Sequence, residues 1–545
     1  MLLLLYSKNK EIAFETTWGN KMKTWMRINL YWMIPGVLIL LGLFLLFVQN
    51  FSKVTAQPES DWSRGLLVGQ SEVNKLPAIK ETEDGHYLFS FFQKNKLNTA
   101  AMNKEFRIEK EKEYDIPVDK WTQIYQGNNQ LIYFDYKNIY DQNKAELVAD
   151  VEEFYPLDSS ILYVKENTLF LLNPETKKSS KLMEINLDKE KISIEENDDG
   201  IHLLLFTKGK SNVKLTLYRL QDGKINHLYE TEIKVDPGKI VNGISFTFEE
   251  QKLALLLQEE LELTQGKPEY FNYFVEIDIA STQPPVQYEL AFQDPAIENG
   301  KLTEISDVAF TYRDGKPSLL FKANGFTETK YNEKSGFNIY ESEIGEEGDT
   351  KTERRSNTAA ISTIPQWLDE NTIVWMDLDG DGNKVYVSSN DLSGINKQIK
   401  HTSEDWLQAL GKTFGMLSTS FFAFALSFIW LIWPILFVIV MYLFFSRKVD
   451  YDRPWIFYTG IGIYLVAAVL FKDRFFVPNI LSSAPGYLTF SGSPYVYLLL
   501  FAVIAYLLSM LTKHVNEWIG APRIIYFVGV HIILLTIFFG PYIIY

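Results

Sequence analysis

The 545-residue chain contains no cysteine. Disulfide staples, zinc–thiolate centres, thiolate-held iron–sulfur clusters and a cysteine nucleophile are therefore excluded. Histidine is scarce as well: His86, His202, His227, His401, His514 and His531 are the only six, and no two stand two or four residues apart. A strand- or helix-borne metal pair is thus missing from the sequence pattern, as is His-Glu-x-x-His. The chain also lacks Gly-x-Ser-x-Gly, Gly-x-x-x-x-Gly-Lys-Ser/Thr and Gly-x-Gly-x-x-Gly. Those are the loops through which hydrolases present a serine and nucleotide-binding proteins cradle phosphates. Basic residues are outnumbered, 53 against 68 acidic, for a net charge of −15. Phosphate backbones bind clustered Lys and Arg, so no nucleic-acid partner is predicted.

Charge is absent altogether from five long apolar runs: 28–52, 417–445, 455–471, 495–512 and 524–545. About 20 apolar residues, rising about 1.5 Å each, cross a hydrocarbon core of about 30 Å. Burial of five such runs inside a soluble core is a poor alternative, so the sequence predicts a multi-pass cell-membrane protein with the lipid bilayer as a partner. Lys21, Lys23 and Arg27 precede the first run, Arg447, Lys448 and Arg453 separate the second and third, and Lys513 and Arg523 separate the fourth and fifth. Positive flanks stay inside. Residues 1–27 are therefore expected to be a cytoplasmic tail, with the middle of the chain and Tyr545 outside, although Lys472 and Arg474 fall on the outer side. Residues 1–49 and 421–545 each carry a net +3, leaving 41 basic and 62 acidic residues, a net −21, in 50–420. Val54-Thr55-Ala56 has the small-residue character of a leader-cleavage site after Ala56, but the run before it is longer than the ~7–15 residues of a leader core. Residues 28–52 are expected to remain as an anchor.

Between 60 and 400 helical periodicity gives way to short Val-, Ile-, Leu-, Tyr- and Phe-rich runs bounded by turn residues, the pattern of an all-β domain. Ile161 to Val164 is followed by Thr168 to Leu172 and closed by Asn173-Pro174; His202 to Phe206 is followed by Val213 to Tyr218 and closed by Asp222-Gly223. Comparable units open near Tyr125, Phe154, Ile201, Phe246, Phe310 and Trp367, with a weaker copy at His86-Tyr87-Leu88-Phe89. Their spacing brackets the ~40–50 residues of a four-stranded propeller blade. The prediction is an all-β propeller over 60–400, seven blades favoured and six or eight possible, with the strand near Gly65 to Val68 completing the last blade. A pair of β-sandwiches and a solenoid are the rival architectures. This domain is fused to an α-helical transmembrane domain: an anchor at 28–52, an amphipathic juxtamembrane helix at 402–416 and four helices in 417–545.

The clearest copy runs from Ile364 through Trp375 to Val387. Pro365, Trp367, Ile373, Gly380, Val385 and Tyr386 give it a Pro-x-Trp, turn, Ile-x-aromatic, Asp/Gly hairpin, Val-Tyr-Val order that resembles the TolB-type, WD-like propeller repeat. The usual Ser-Pro-Asp-Gly turn is replaced by Leu368-Asp369-Glu370-Asn371. Val308 to Phe310 with Arg313-Asp314-Gly315 and Asn338-Ile339-Tyr340 resembles the same repeat. The resemblance implies a propeller used as a binding platform and no particular chemistry.

One segment carries metal-ligand chemistry. In Asp377-Leu378-Asp379-Gly380-Asp381-Gly382-Asn383, oxygens from Asp377, Asp379, Asp381 and Asn383 are spaced to wrap Ca²⁺. The ninth and twelfth positions are Val385 and Ser388, so an EF-hand does not fit, and a hairpin turn is the favoured alternative. No other cofactor is predicted. His531 lies inside an apolar run, where hydrogen bonding between helices is expected; a pairing with Ser491-Gly492-Ser493 has no spacing to support it. Thr402 and Asp405 form a capping-box pattern ahead of Trp406, Leu407, Leu410 and Phe414, which share one face. A plain extension of the following span is the alternative there. The aromatic loop 472–494 is expected to pack under the propeller or to dip into the interface, and Pro434 predicts a kink. The composite expectation is a binding or scaffolding module for a protein, peptide, glycan or cation, with basic partners favoured by the −21 middle. A sensor or transporter component ranks second and a membrane enzyme third.

Overall fold

A computed structural model of the chain describes residues 29–544 apart from 83, 128–129, 198–199, 262–267, 282, 331–332, 379, 381, 392–398, 451–452, 517 and 519. It divides into a β unit, Thr55–Thr329 and Glu333–His401, and a helical unit, Met1–Val54 and Thr402–Tyr545 with Lys330–Asn332.

The β unit is a seven-bladed propeller. Six four-stranded antiparallel sheets are each made of consecutive strands, in 78–114, 123–148, 153–184, 191–234, 239–289 and 303–354. The seventh joins Ile361–Asp369, Thr372–Leu378 and Asn383–Ser389 to Leu66–Ser71, which pairs with Asn383–Ser389 as the sequence led us to expect. The expected openings at Tyr125, Phe154, Phe246, Phe310 and Trp367 fall in first strands, whereas Tyr87 and Ile201 fall in second strands. The true first strands of those two blades, Ala78–Glu81 and Lys191–Asn197, contain no aromatic residue, which hid them. Hairpin chemistry follows the turn residues. Asp222-Gly223 and Asp314-Gly315 both take positive φ (51° and 70°, 50° and 71°), as a two-residue turn matched to strand twist requires.

The apolar runs read as continuous because each blade is buried on both faces. Side chains alternate along a strand, so Leu203 and Leu205 pack toward blade 3 while Leu204 and Phe206 pack toward blade 5. Likewise Leu253, Leu255 and Leu257 face blade 4, and Ala254 and Leu256 face blade 6. The core is accordingly a set of apolar seams, one between each pair of neighbouring blades.

The seam between blades 6 and 7 is also polar. Asp377 is buried and accepts hydrogen bonds from Ser362 Oγ (2.7 Å) and Trp375 Nε1 (3.0 Å). Glu341 takes Arg355 Nε at 2.6 Å on one oxygen and Arg313 on the other. The Arg355 guanidinium lies 4.2 Å from the centre of the Trp62 ring, and Trp62 Nε1 donates to Ser388 Oγ at 2.7 Å.

In the helical unit α1 is Asn29–Val54, α2 Ser403–Asp450, α3 Pro454–Leu470, α4 Lys472–Phe475, α5 Pro478–Ser483, α6 Gly486–Thr489, α7 Ser493–Asn516 and α8 Ala521–Phe539. Among the described residues four stretches are long and apolar enough to cross a membrane: Asn29–Val54, Ser403–Phe445, Ser493–Thr512 and Ala521–Tyr542. The remaining predicted span, 455–471, falls on α3, which is apolar but has only 17 residues. The capping box forms as read: Thr402 N donates to Asp405 Oδ2 (2.9 Å) and Asp405 N to Thr402 Oγ1 (3.2 Å). The amphipathic stretch and the following span run on as one helix from Ser403 to Phe445, 43 residues, roughly 65 Å at about 1.5 Å per residue and twice the bilayer core. Its dihedral break comes at Phe445 (φ −135°, ψ 31°) rather than at Pro434. In loop 472–494 Phe475, Phe476, Ile480 and Leu488 are buried in the helical core, whereas Tyr487 and Phe490 are exposed. His531 accomplishes the expected helix-to-helix bonding, with Nδ1 on Tyr464 OH (2.7 Å) and Nε2 on the Leu498 carbonyl (2.9 Å). Both ring nitrogens are thereby engaged, neither by Ser491 nor Ser493.

Trp375 is fully buried with its indole N–H bonded. Trp375→Ala is expected to cost the propeller about 3–5 kcal/mol, read by denaturant unfolding of the full-length protein in detergent.

Candidate functional site

The hairpin between first and second strands of each blade turns on one face of the ring, and acidic side chains gather there. Near the axis most of them are spent on fastening blades together. Glu195 accepts Thr247 Oγ1 at 2.5 Å and the Phe248 N–H at 2.9 Å, joining blades 4 and 5. Glu196 accepts the Asp158 N–H at 2.6 Å, and Lys80 donates to the Asp158 carbonyl at 2.8 Å. Tyr312 OH donates to Glu276 at 2.9 Å. Burial pushes the Glu195 carboxyl up to about 7, against the hydrogen bonds from Thr247 and Phe248 and with help from the nearby Glu249 charge.

Farther out, where blade 1 meets blade 7, the face opens into a cleft of about 490 Å³. Two turns shape it. In blade 7, Asp369 Oδ1 accepts the Asn371 N–H at 2.7 Å, closing the hairpin that replaces the usual repeat turn. In blade 1, Asn103 Oδ1 accepts the N–H groups of Glu105 and Arg107, both at 3.0 Å. That second turn throws Phe106 into positive φ, 59°, a conformation costly for a bulky residue. It is held there by stacking on Tyr87, with ring centres 5.3 Å apart and planes 9° apart. Tyr87 OH in turn donates to Asp369 Oδ2 at 2.7 Å, so one hydrogen bond ties the two blades across the floor of the cleft. Burial, reinforced by that bond to Asp369, pushes the Tyr87 hydroxyl far above its ordinary range; it remains a neutral donor.

Around this aromatic floor stand Glu81, Glu105, Asp369, Glu370 and Asp391, with Lys104 as the one cation among the described lining residues. Glu105 also pairs with Arg107 at 3.0 Å. Among the described residues no three His, Cys, Asp or Glu side chains converge to hold a metal ion. The cleft thus gathers acidic side chains around its rim, over a Tyr87–Phe106 stack that is itself buried in the seam between blades 7 and 1.

The predicted cation ligands lie elsewhere. Asp377 and Asn383 sit in blade 7 strands, and the Asn383 amide donates to Asn74 Oδ1 at 2.7 Å. Asp379 and Asp381 lie outside the described residues. The cleft residues went unread as a site, although both places were marked in the sequence: Leu368-Asp369-Glu370-Asn371 as a departure from the repeat, and His86-Tyr87 as a weak copy of it.

No family model matches the chain, and no curated protein matches it. Solved structures are similar at low identity. A Porphyromonas gingivalis dipeptidyl peptidase 4 is 10% identical over 59% of this chain, with a TM-score of 0.31; this chain spans 58% of that peptidase. BBS1N, solved in complex with ARL6DN, is 11% identical over 62% of this chain and 99% of its own, with a TM-score of 0.36. Kluyveromyces lactis Hsv2p is 8% identical over 58% and 96%, with a TM-score of 0.30. The seven-bladed assignment rests on the strand pairing itself.

Because the neutral form of Glu195 is favoured in the fold, its contribution to stability is complete below the ordinary carboxyl range and is lost as pH rises through about 7. Glu195→Gln is expected to flatten that part of the profile, by on the order of 2 kcal/mol between pH 5 and 8. Thermal unfolding across that range checks it.

Proposed function

We propose that this chain is a membrane-anchored binding or scaffolding protein whose propeller takes a basic segment of a protein or peptide partner into the cleft between blades 1 and 7. On this reading the chain crosses the membrane five times, α3 included, with its amino end in the cytoplasm and the propeller outside. The basic flanks of the apolar runs support that orientation. The observation that carries the ligand class is the cleft rim: among the described lining residues, Glu81, Glu105, Asp369, Glu370 and Asp391 stand against Lys104. The −21 charge of 50–420 supports it by steering cationic partners toward the domain. The likeness of blade 7 to the TolB-type, WD-like repeat supports a binding platform in the same sense, since such propellers serve as scaffolds for varied sites.

Binding of a fluorescent ten-residue oligolysine to the full-length protein in zwitterionic nanodiscs tests the proposal. Affinity is expected to fall steeply with salt and by about tenfold in the Glu81→Gln/Glu370→Gln variant. Binding that ignores both salt and the substitutions would remove the cleft from consideration.

On the same reading segment 377–383 is a structural hairpin, with Asp377 and Asn383 occupied by contacts within the β unit. Millimolar Ca²⁺ is then expected to leave the melting temperature of the full-length protein unchanged. A rise in melting temperature that disappears in Asp379→Asn/Asp381→Asn would assign a Ca²⁺ site instead.

A further inference from the structure

We infer that α1 is a permanent member of the helical unit, retained after synthesis instead of being shed after Ala56 as a leader. This rests on the membrane reading of that unit given above. A leader core is recognised by length and greasiness and needs no residue-specific partners. α1 is built differently. Its last turns carry two amides, Gln49 and Asn50, groups that are expensive in lipid unless bonded within the protein. Asn50 is 1% exposed and donates to Thr413 Oγ1 on α2 at 3.1 Å; that hydroxyl passes its own proton to the Ala409 carbonyl at 2.7 Å. Gln49 Oε1 accepts Tyr542 OH from the turn after α8 at 2.5 Å. At the other end the Tyr31 carbonyl accepts Tyr526 OH from α8.

Shape agrees with the polar bonds. A Cβ on Gly42 would stand 2.6 Å from Ile537 Cγ2 and 3.3 Å from Phe538 Cε2, so the backbone of α1 comes against α8 side chains where only glycine fits. Near the other face Trp406 of α2 stacks on Phe47 (5.5 Å, 23°) and lies 4.7 Å from Phe51. Loss of α1 would leave Tyr526 and Tyr542 without the acceptors they use here and would uncover the glycine-matched surface of α8. The same helix is therefore both the entry signal and a wall of the bundle.

The test uses the full chain with a tag after Tyr545, expressed in bacterial membranes. Intact mass of the purified protein is expected to include residues 1–56, and a species beginning at Gln57 overturns the inference. In a second form a protease site is placed between Gln57 and Pro58. After cutting, the α1 fragment is expected to stay with the tagged remainder through purification in mild detergent, and its loss in the wash also overturns the inference. Gly42→Leu, which only adds apolar bulk, is expected to release the cut fragment; should that variant not assemble, Asn50→Leu provides the same comparison. Alkaline extraction of the membranes reads the membrane assignment separately, since a chain that is released with α1 still attached defeats that assignment and leaves retention standing.

Discussion

The two-sided burial of every blade is the constraint from which the β unit follows. A sheet with Leu203 and Leu205 on one face and Leu204 and Phe206 on the other has no solvent side, and such a sheet is stable only between two neighbours. Each blade supplies half of two seams, so the ring either closes or leaves a pair of apolar faces in water. Closure here uses the earliest strand of the unit, Leu66–Ser71, as the outer edge of the last blade. The consequence is that the seam joining blades 6 and 7 also receives Trp62, brought in by the segment just ahead of that strand.

That seam shows how buried charge is tolerated in the fold. Glu341 is shared between Arg313 and Arg355, Arg355 also holds Glu353, and an indole lies flat against the guanidinium. Removing charges from water costs several kcal/mol each, and a pair of this kind returns little net stability. What it supplies is register. Arg355 bonds two carboxylates of blade 6 and lies over the Trp62 ring, so this cluster sets the connection leaving blade 6 against the segment that carries Trp62. Asp377 does the same within blade 7, where its single buried carboxylate orders Ser362 on one strand and Trp375 on the next.

The fold was legible to the extent that it depends on local pattern. Apolar pairs of strands, Asp-Gly turns and the recurrence of aromatic openings are all short-range features, and they led to seven blades and to the closing strand. Ala78–Glu81 and Lys191–Asn197 were missed as first strands because strands at the axis are short or polar where they face the channel, and their apolar quota is carried by the second strand beside them. The long apolar helices were legible for the same reason the strands were: composition decides them. The course of α2 was not, because an amphipathic turn and an apolar span have compatible helical periods and nothing between Phe414 and Leu417 interrupts the backbone. The cleft was illegible as a site because its members come from residues 81 to 106 and 369 to 391, separated in sequence by nearly the whole propeller and brought together only by closure.

The place of the cleft follows from this. At other joints on that face, acidic groups bridge neighbouring blades, as Glu195 does to Thr247 and Glu276 to Tyr312. Blade 7 departs from its repeat at Leu368 to Asn371, and blade 1 answers with a turn that forces Phe106 into a left-handed conformation. The two turns leave a cleft between them, rimmed by acidic side chains and underlain by the buried Tyr87–Phe106 stack. Tyr87 keeps the two sides in register by its bond to Asp369, a bond its hydroxyl makes as a neutral donor because burial and that carboxylate hold it far above its ordinary range.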